Sequence, residues 1–278
     1  MLKFKLPKAL VLAVFALALP GFNAPVQAGP INYVTNGDFE TLATGNTLGA
    51  AGGYFCQAGA SCVSNVANWS STCHGTNACG AGGTPDSLLF ANTSGSAFNG
   101  NIGLWTEGAN GVTAGSPVPN SPTGGHFVAF DGDPNFNASI SQTITGLTPG
   151  GAYAISFWQG AAQQNGTTGA TTEQWKVTFA TQSQTSTLMN NVSHGWVNWN
   201  QQVMFFTVSA QSTGTEVLTF LSQGTPNGEP PVVLLDGISL IATPEPQTCG
   251  LVILGLTGIP WLMRRRRAER KRISGDRH

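Results

Sequence analysis

The sequence predicts an all-β protein built as a two-sheet antiparallel β-sandwich. Between Ile31 and Leu240 it reads as about ten short segments of β-forming residues separated by turns rich in Gly, Asn and Pro. No helical periodicity is sustained before a short apolar run near the C-terminus. Short strands with frequent turn signals are typical of β-sandwiches.

Alternation of apolar and polar residues defines the clearest strands. Tyr153, Ile155 and Phe157 alternate with smaller or polar neighbours, and Trp175 lies on the apolar side of its strand, so we expect it in the core. The connector 146–151 favours a turn and predicts an antiparallel hairpin between the strands before and after it. The predicted strands are 31–34, 86–90, 102–106, 126–130, 138–145, 152–158, 174–179, 202–208, 216–222 and 232–241.

The N-terminal end differs in composition from the β-rich body. Lys3, Lys5 and Lys8 precede an apolar segment, 9–19, and a small-residue site that ends at Ala28. This pattern predicts a secretory signal peptide over residues 1–28. The alternative is a second membrane anchor, which the shortness of the apolar segment disfavours. The body that remains, 29–243, is long enough for one β-domain with its own core.

Charge is distributed unevenly along the chain. Of the 12 basic residues, three lie in the signal peptide and eight follow Met263, so the body keeps only Lys176. Against this lysine stand ten acidic residues, which give the body a formal net charge of −9. Such a surface has nothing to neutralise phosphates with, so nucleic acid and anionic lipid are not expected partners. A body rich in Asn, Gln, Ser, Thr and Gly is compatible with binding an uncharged polysaccharide, and it is equally compatible with a surface that binds nothing.

Four cysteines occur in a Gly-rich insertion at about 54–83, in two pairs with five residues between the members of each pair. They are Cys56, Cys62, Cys73 and Cys79. In an oxidising compartment this pattern predicts two disulfides, with sequential pairing favoured over the two other connectivities. A zinc site with His74 as a further ligand is the alternative, but the gaps are wider than those of common zinc motifs.

The C-terminal stretch combines three features in order. The tripeptide Pro244, Glu245 and Pro246 is followed by an apolar run, 250–263, and then by a basic tail. The run has 14 residues. As a helix it extends roughly 21 Å, which is short for a bilayer core of about 30 Å. The basic tail predicts that this end stays in the cytoplasm and that the body lies on the far side of the membrane.

This arrangement over 244–272 resembles the PEP-CTERM sorting signal of Gram-negative bacteria that make exopolysaccharide. The resemblance implies that exosortase, a membrane transpeptidase, recognises the Pro-Glu-Pro element. It also implies export through the inner membrane, transient or stable anchoring by the short transmembrane segment, and a final location at the cell surface or in the extracellular matrix.

The body carries motifs of a second family. The segment 36–40 (Asn-Gly-Asp-Phe-Glu), the segment 140–157 and the segment 235–240 (Leu-Asp-Gly-Ile-Ser-Leu) resemble the opening, central hairpin and closing strand of galactose-binding-like jelly rolls. In the carbohydrate-binding modules of this fold, an acid after the opening strand and an acid in the last strand share a structural calcium ion. The matching positions are Glu40 and Asp236.

The expected calcium ion also has a physical reason. Two carboxylates brought together by the first and last strands repel each other unless a cation lies between them, and Ca²⁺ prefers oxygen ligands. The alternative is two exposed acids that never meet. A second candidate is formed by Asp131, Asp133, Asn135 and Asn137, which alternate as in the first half of a calcium loop. The glycine and the final acid of such a loop are missing, so a polar turn is the favoured interpretation there.

Sugar binding requires a flat aromatic face and nearby amides or hydroxyls that fix the ring. Among the tryptophans, we expect Trp158 and Trp199 to be exposed and to bind the ligand, although a single tryptophan is more often core than platform. Catalysis has weaker support, because the sequence contains neither a G-x-S-x-G elbow nor an H-E-x-x-H pair. The sequence therefore predicts non-catalytic binding to extracellular polysaccharide. The first alternative is a structural or protein-adhesive matrix component without sugar binding. The second alternative is a polysaccharide-acting hydrolase.

Overall fold

The computed structural model describes residues 30–43, 66–75, 87–91, 103–105 and 120–243. Within these ranges all regular structure is β, and the strands form two antiparallel sheets, which confirms the predicted sandwich. In chain order the strands are β1 (Ser70–Cys73), β2 (Ser87–Ala91), β3 (His126–Asp131), β4 (Ala138–Ile144), β5 (Ala152–Gln163), β6 (Thr171–Phe179), β7 (Gln182–Thr185), β8 (Met189–Asn191), β9 (Trp196–Thr207), β10 (Glu216–Thr225) and β11 (Pro231–Ala242).

The strand order follows from the pairing of distant segments. The six-stranded sheet has the order β1-β4-β10-β6-β7, with β8 paired to β6. The five-stranded sheet has the order β2-β3-β11-β5-β9. Across the described ranges, no helix has the length and hydropathy needed to cross a membrane. The predicted signal peptide and the C-terminal sorting segment lie outside the described residues.

The core lies between the two sheets, where the apolar sides of alternating strands meet. Trp175 is fully buried, as predicted, and its indole N–H donates a 2.9 Å hydrogen bond to the carbonyl of Leu234 in the opposite sheet. The rings of Phe157 and Phe220 meet edge to face across the sandwich, with centroids 5.1 Å apart. Such pairs add to the stabilisation that burial alone provides.

The predicted hairpin between 138–145 and 152–158 is wrong. These segments form β4 and β5, which are consecutive in the chain but belong to different sheets. Their apolar sides face the same core from opposite directions, so the alternation that suggested a hairpin is satisfied by packing face to face. The connector crosses from one sheet to the other and is held by Leu147, which is buried and donates its amide to the Gly214 carbonyl at 3.0 Å.

A second, smaller apolar cluster covers one end of the outer face of the five-stranded sheet. Its buried members are Leu104, Phe127, Ala129, Ala162, Val232 and Leu234, with Trp196 and Trp199 packed against them. The other end of the same outer face carries exposed side chains instead. This open end is where the candidate site lies.

Candidate functional site

Trp158 lies on the open end of this outer face. It is directly opposite Gln201 of β9 and Asp236 of β11, and residues opposite one another in adjacent strands share a face. Because the neighbouring Phe157 points into the core, Trp158 points away from it. Its side chain is half-buried, whereas that of Gln201 is exposed.

The same face continues along β9 with apolar side chains open to solvent. Val203 is 53% exposed and lies opposite Ser156, and Phe205 is 65% exposed and lies opposite Ala154. The small side chains of Ala154 and Ser156 form a low floor between the larger ones. We call this surface the Trp158 platform, consisting of Ala154, Ser156, Trp158, Gln201, Val203 and Phe205.

The platform is extended and its outer strand is held in place. Phe205 is four residues further along β9 than the position opposite Trp158, which is roughly 13 Å at the usual strand rise. The segment that follows β6 covers the free edge of β9 with side-chain hydrogen bonds. Gln184 donates to the Phe205 carbonyl at 2.6 Å, and Gln182 accepts from the Thr207 amide at 3.2 Å. These bonds occupy edge groups that would otherwise pair with another chain.

The other predicted sugar-binding residue, Trp199, has different surroundings. It is half-buried in the second apolar cluster, where its ring lies edge-on to Phe127 at 5.4 Å and to Trp196 at 6.4 Å. Trp158 and Trp199 are both half-buried on the same outer face, since the ring of Trp199 lies next to Gly160, the outward position of β5 that follows Trp158. A sugar contact by Trp199 stays a prediction, and its packing gives it a structural task.

Glu40 and Asp236 are brought together by the opening loop. Asn36 donates from its side-chain amide to the carbonyls of Thr41 and Ala67, both at 2.9 Å, and so fixes the loop. Gly37 lies so close to β11 that an added Cβ would be 2.1 Å from the Ile238 carbonyl oxygen. This close approach docks the loop on the bulge in β11 next to Asp236.

Asp236 is fully buried and surrounded by donors. It accepts hydrogen bonds from the hydroxyls of Ser121 and Thr123 and from the Gly237 amide, the last at 2.6 Å. Burial raises the pKa of Asp236 to about 7; these donors act in the opposite direction, and the negative charge of Glu40 adds to the rise. The hydrogen-bond donors therefore offset only part of the cost of burying the negative charge of Asp236, and a nearby cation would stabilise the ionised form.

Glu40 is held against the loop that precedes β3. Its Oε2 lies 2.9 Å from Nδ1 of His126, and its Oε1 accepts from the His126 amide. Gly125 lines this contact, since a Cβ there would overlap the Glu40 carboxylate.

The carboxylates of Glu40 and Asp236 and the hydroxyls of Ser121 and Thr123 form an oxygen-rich set that suits a hard cation such as Ca²⁺. In the described part of the chain, no three His, Cys, Asp or Glu side chains are grouped to hold a metal, so any cation here would also need hydroxyl or backbone oxygens.

The segment 131–137 forms a polar turn in which the two acids accept backbone amides. Asp131 accepts from the Asp133 amide at 2.7 Å, and Asp133 accepts from the Asn135 amide at 2.8 Å and from the Gly228 amide at 2.6 Å. Both carboxylates are buried. A calcium ion bound by Asp131 and Asp133 stays a prediction.

Several predicted residues lie outside the described ranges. Pro244, Glu245 and Pro246 are among them, and so are three of the cysteines, Cys56, Cys62 and Cys79. Cys73 lies in β1 opposite Ala138, and the next residue, His74, places Nε2 2.8 Å from the Ser139 hydroxyl. The disulfide pairing and the zinc alternative both stay predictions.

Sequence reasoning missed Gln201, Val203 and Phe205, and the hydroxyls of Ser121 and Thr123. Near its end, β9 reads Val-Met-Phe-Phe, with apolar residues on both faces, so alternation alone gives no sign of which side is exposed. Ser121 and Thr123 precede β3 in a stretch without periodicity. Their role depends on a contact with Asp236, more than 100 residues away.

No protein-family model matches the sequence, and no curated protein matches it. Among solved structures, the carbohydrate-binding module TmCBM61, in complex with β-1,4-galactotriose, is similar at 16% identity over 77% of this chain and 99% of that chain, with a TM-score of 0.39. A cyclase from Fischerella sp. TAU is similar at 13% identity over 77% and 98%, with a TM-score of 0.45. A structure described under "CBM4 structure and function" is similar at 16% identity over 51% and 86%, with a TM-score of 0.28. Likenesses at this level identify neither an activity nor a ligand.

Proposed function

We propose that this protein is an exported, non-catalytic polysaccharide-binding protein and that the Trp158 platform contacts the sugar chain. The observation that carries this proposal is the half-buried indole of Trp158 with the exposed amide of Gln201 directly opposite it. An aromatic face offers an apolar surface to the C–H groups of a sugar ring, and an amide offers both donors and an acceptor to its hydroxyls. Phe205 adds an exposed ring further along the same face.

The charge of the body supports a neutral ligand. All six residues of the platform are uncharged, and the body contains one lysine and no arginine. A phosphate-rich or otherwise anionic ligand would find few cations to pair with, whereas an uncharged glycan needs none.

The proposal includes a structural calcium ion held by Glu40 and Asp236. Its expected ligands are these two carboxylates, helped by the hydroxyls of Ser121 and Thr123. The ion would fasten the opening loop to the last strand beside Trp158, which lies opposite Asp236. Its part is therefore to keep the platform in shape and not to bind the glycan.

The location of the protein belongs to the proposal as well. The N-terminal signal peptide, the Pro-Glu-Pro element and the basic tail together support export and recognition by exosortase. A protein delivered in this way meets extracellular polysaccharide at the cell surface or in the matrix.

The test is binding of the purified protein to an array of neutral and charged glycans, followed by two substitutions of Trp158. Trp158→Leu keeps an apolar side chain but removes the ring, and we expect at least a tenfold loss of affinity, equivalent to about 1.4 kcal/mol. Trp158→Phe keeps a ring and should retain most of the affinity. Equal melting temperatures of the two variants make them a matched pair. Absence of binding to every glycan by the parent protein, or unchanged binding by Trp158→Leu, contradicts the proposal.

A second candidate function is a protein-adhesive matrix component. The exposed Val203 and Phe205 favour it, because neighbouring exposed apolar side chains on a sheet also suit a protein partner. Under this alternative the protein binds no glycan on the array, and Phe205→Ser weakens its association with other matrix proteins.

A further inference from the structure

The outer face of the six-stranded sheet contains a groove of about 550 Å³. This volume lies within the range of sites that hold small ligands, roughly 300 to 1,000 Å³. We call it the amide groove, and the residues that matter for its chemistry are Asn137, Thr172, Gln174, Leu188, Gln223 and Thr225. It lies on the opposite side of the sandwich from the Trp158 platform, because the two surfaces belong to the outer faces of different sheets.

The floor of the groove is set by strand register. Gln223 of β10 lies opposite Gln174 of β6, and Thr225 lies opposite Thr172. The alternate residues of β6 are buried in the core, so these four side chains point outward. The side-chain amide of Gln174 donates to that of Gln223 at 3.3 Å, and the two threonine hydroxyls are 2.7 Å apart.

The walls come from two different segments. Leu188, which precedes β8, is 48% exposed and forms an apolar wall at the edge of the sheet. The turn after β3 forms the opposite wall and is held tightly against β10. The Gly224 amide donates to the Gly132 carbonyl at 2.8 Å, and a Cβ on Gly132 would lie 2.6 Å from the Gly224 nitrogen. Hydrogen bonds from backbone amides to the carboxylates of Asp131 and Asp133 hold the same turn in place, so this wall is pre-formed.

The lining selects a class of ligand. Every residue that lines the groove is uncharged, which disfavours ions and strongly charged ligands. The Gln174–Gln223 bond uses one donor and one acceptor, and among the described residues the Gln174 oxygen and the Gln223 nitrogen are left for a ligand. Paired amides and hydroxyls beside one apolar wall match a neutral polyhydroxylated molecule.

We propose that the amide groove is a second glycan site and that one protein molecule therefore binds two sugar chains, one on each face. The inference takes its ligand class from the proposed function, but its residues are separate from those of the Trp158 platform. Two sites facing in opposite directions are too far around the molecule for one short oligosaccharide to occupy both. With long chains, the protein would cross-link polysaccharide, since each molecule joins two strands.

The experiment measures stoichiometry and cross-linking with the full-length protein. The probes are neutral hexasaccharides of β-glucan, galactan and mannan type, titrated calorimetrically, and the corresponding long polysaccharides, followed by turbidity. The groove variant is Gln174→Leu combined with Gln223→Leu, the platform variant is Trp158→Leu, and Thr219→Ala is the control on the same outer face outside the groove lining.

We expect two equivalents of hexasaccharide for the parent and the control, and one for each variant. Turbidity with the long polysaccharide should appear for the parent and the control only.

The outcomes separate the two claims. If the groove variant keeps full stoichiometry and turbidity, the amide groove is not a glycan site, whereas the platform stands when Trp158→Leu loses binding. If the groove variant loses all binding and Trp158→Leu loses none, the groove is confirmed and the platform is wrong. If the parent binds none of the probes, both are overturned.

Discussion

Glu173 is a fully buried acid within the core side of β6. Its Oε1 accepts from the Thr171 hydroxyl at 2.5 Å, while its Oε2 has no partner among the described residues. Asn191 lies directly opposite Thr171, and its Oδ1 also lacks a donor. Burial raises the pKa of Glu173 to about 8, against the smaller opposing effect of Thr171. A proton on Glu173 therefore keeps this buried acid neutral near pH 7.

This state of Glu173 predicts a pH dependence of stability. The folded protein holds the proton up to about pH 8, whereas the unfolded chain loses it near its ordinary value of 4.5. The unfolded state thus binds fewer protons between these values, and the free energy of unfolding falls as pH rises through this window. The loss is at most about 5 kcal/mol, because one pKa unit corresponds to about 1.4 kcal/mol.

Glu173→Gln tests this prediction because glutamine has the same shape and no charge. We expect the variant to match the parent near pH 5 and to melt at a higher temperature near pH 8, with calcium chelated in both samples. Asp236 titrates in parallel in both proteins, so the difference between them isolates Glu173. Equal pH dependence in parent and variant would show that Glu173 carries no proton at neutral pH.

At the scale of single strands, the sequence predicts the interior of the fold better than its edges. The strands around Trp175 and Phe157 are recognised because one side of each is buried and alternation records that burial. β7 has the residues Gln-Ser-Gln-Thr, all polar and none fully buried, so its pattern carries no strand signal. β8 is three residues long. Both form on the edge of a sheet because β6 supplies hydrogen-bonding partners, which is information from another part of the chain.

The candidate site shows the same division. Trp158 is identifiable because it occupies the outward position of an alternating strand. The exposure of Phe205 depends on which face of β9 meets the core, and that choice is made by pairing with β5. Likewise, the alternation in β4 and β5 that predicted a hairpin fits two arrangements equally well. The strands could be neighbours in one sheet, or they could face each other across the core, as they do here. Sequence periodicity records which residues are buried, but it does not record what buries them.

The link between the opening loop and β11 predicts a response to calcium. If Glu40 and Asp236 share Ca²⁺, chelation lowers the melting temperature, by an amount equivalent to about 2.7 kcal/mol when calcium had been present at a hundred times its dissociation constant. Because burial raises the pKa of Asp236 to about 7, protons compete with the ion, and the stabilisation by calcium should be larger near pH 8 than near pH 5.

Asp236→Asn is the matched variant for calcium. It keeps the shape of the side chain and removes its charge, so its melting temperature should be insensitive to chelator and should keep only the pH dependence that comes from Glu173. Asp133→Asn serves as the control, because Asp133 is a buried acid in the separate turn after β3. An unchanged melt of the parent in excess chelator would rule out the Glu40–Asp236 site. If chelation no longer changes the melting temperature of Asp133→Asn but still changes that of Asp236→Asn, the ion binds in the 131–137 turn instead.

At the scale of the whole molecule, the body has a single lysine and no arginine, which limits the kinds of ligand that it could bind. Both candidate surfaces are uncharged, and Lys176 is the one lysine between residues 29 and 243. It lies on the outer face of β6, two positions from Gln174. Under the proposed function, recognition therefore rests on stacking and on hydrogen bonds to neutral groups.

This balance predicts that glycan binding is insensitive to salt. The affinity of a protein that neutralises charged groups falls steeply with salt concentration, because bound counterions are released on association. With no ionic contacts, the affinity for a neutral polysaccharide should change less than twofold between about 50 mM and about 500 mM NaCl, and duplex DNA should not be retained even at the lower value. Lys176→Gln is the control, since it removes the nearest cation and should leave the affinity unchanged. A steep salt dependence that disappears in Lys176→Gln would instead mean that the ligand is an anionic polysaccharide held through this lysine.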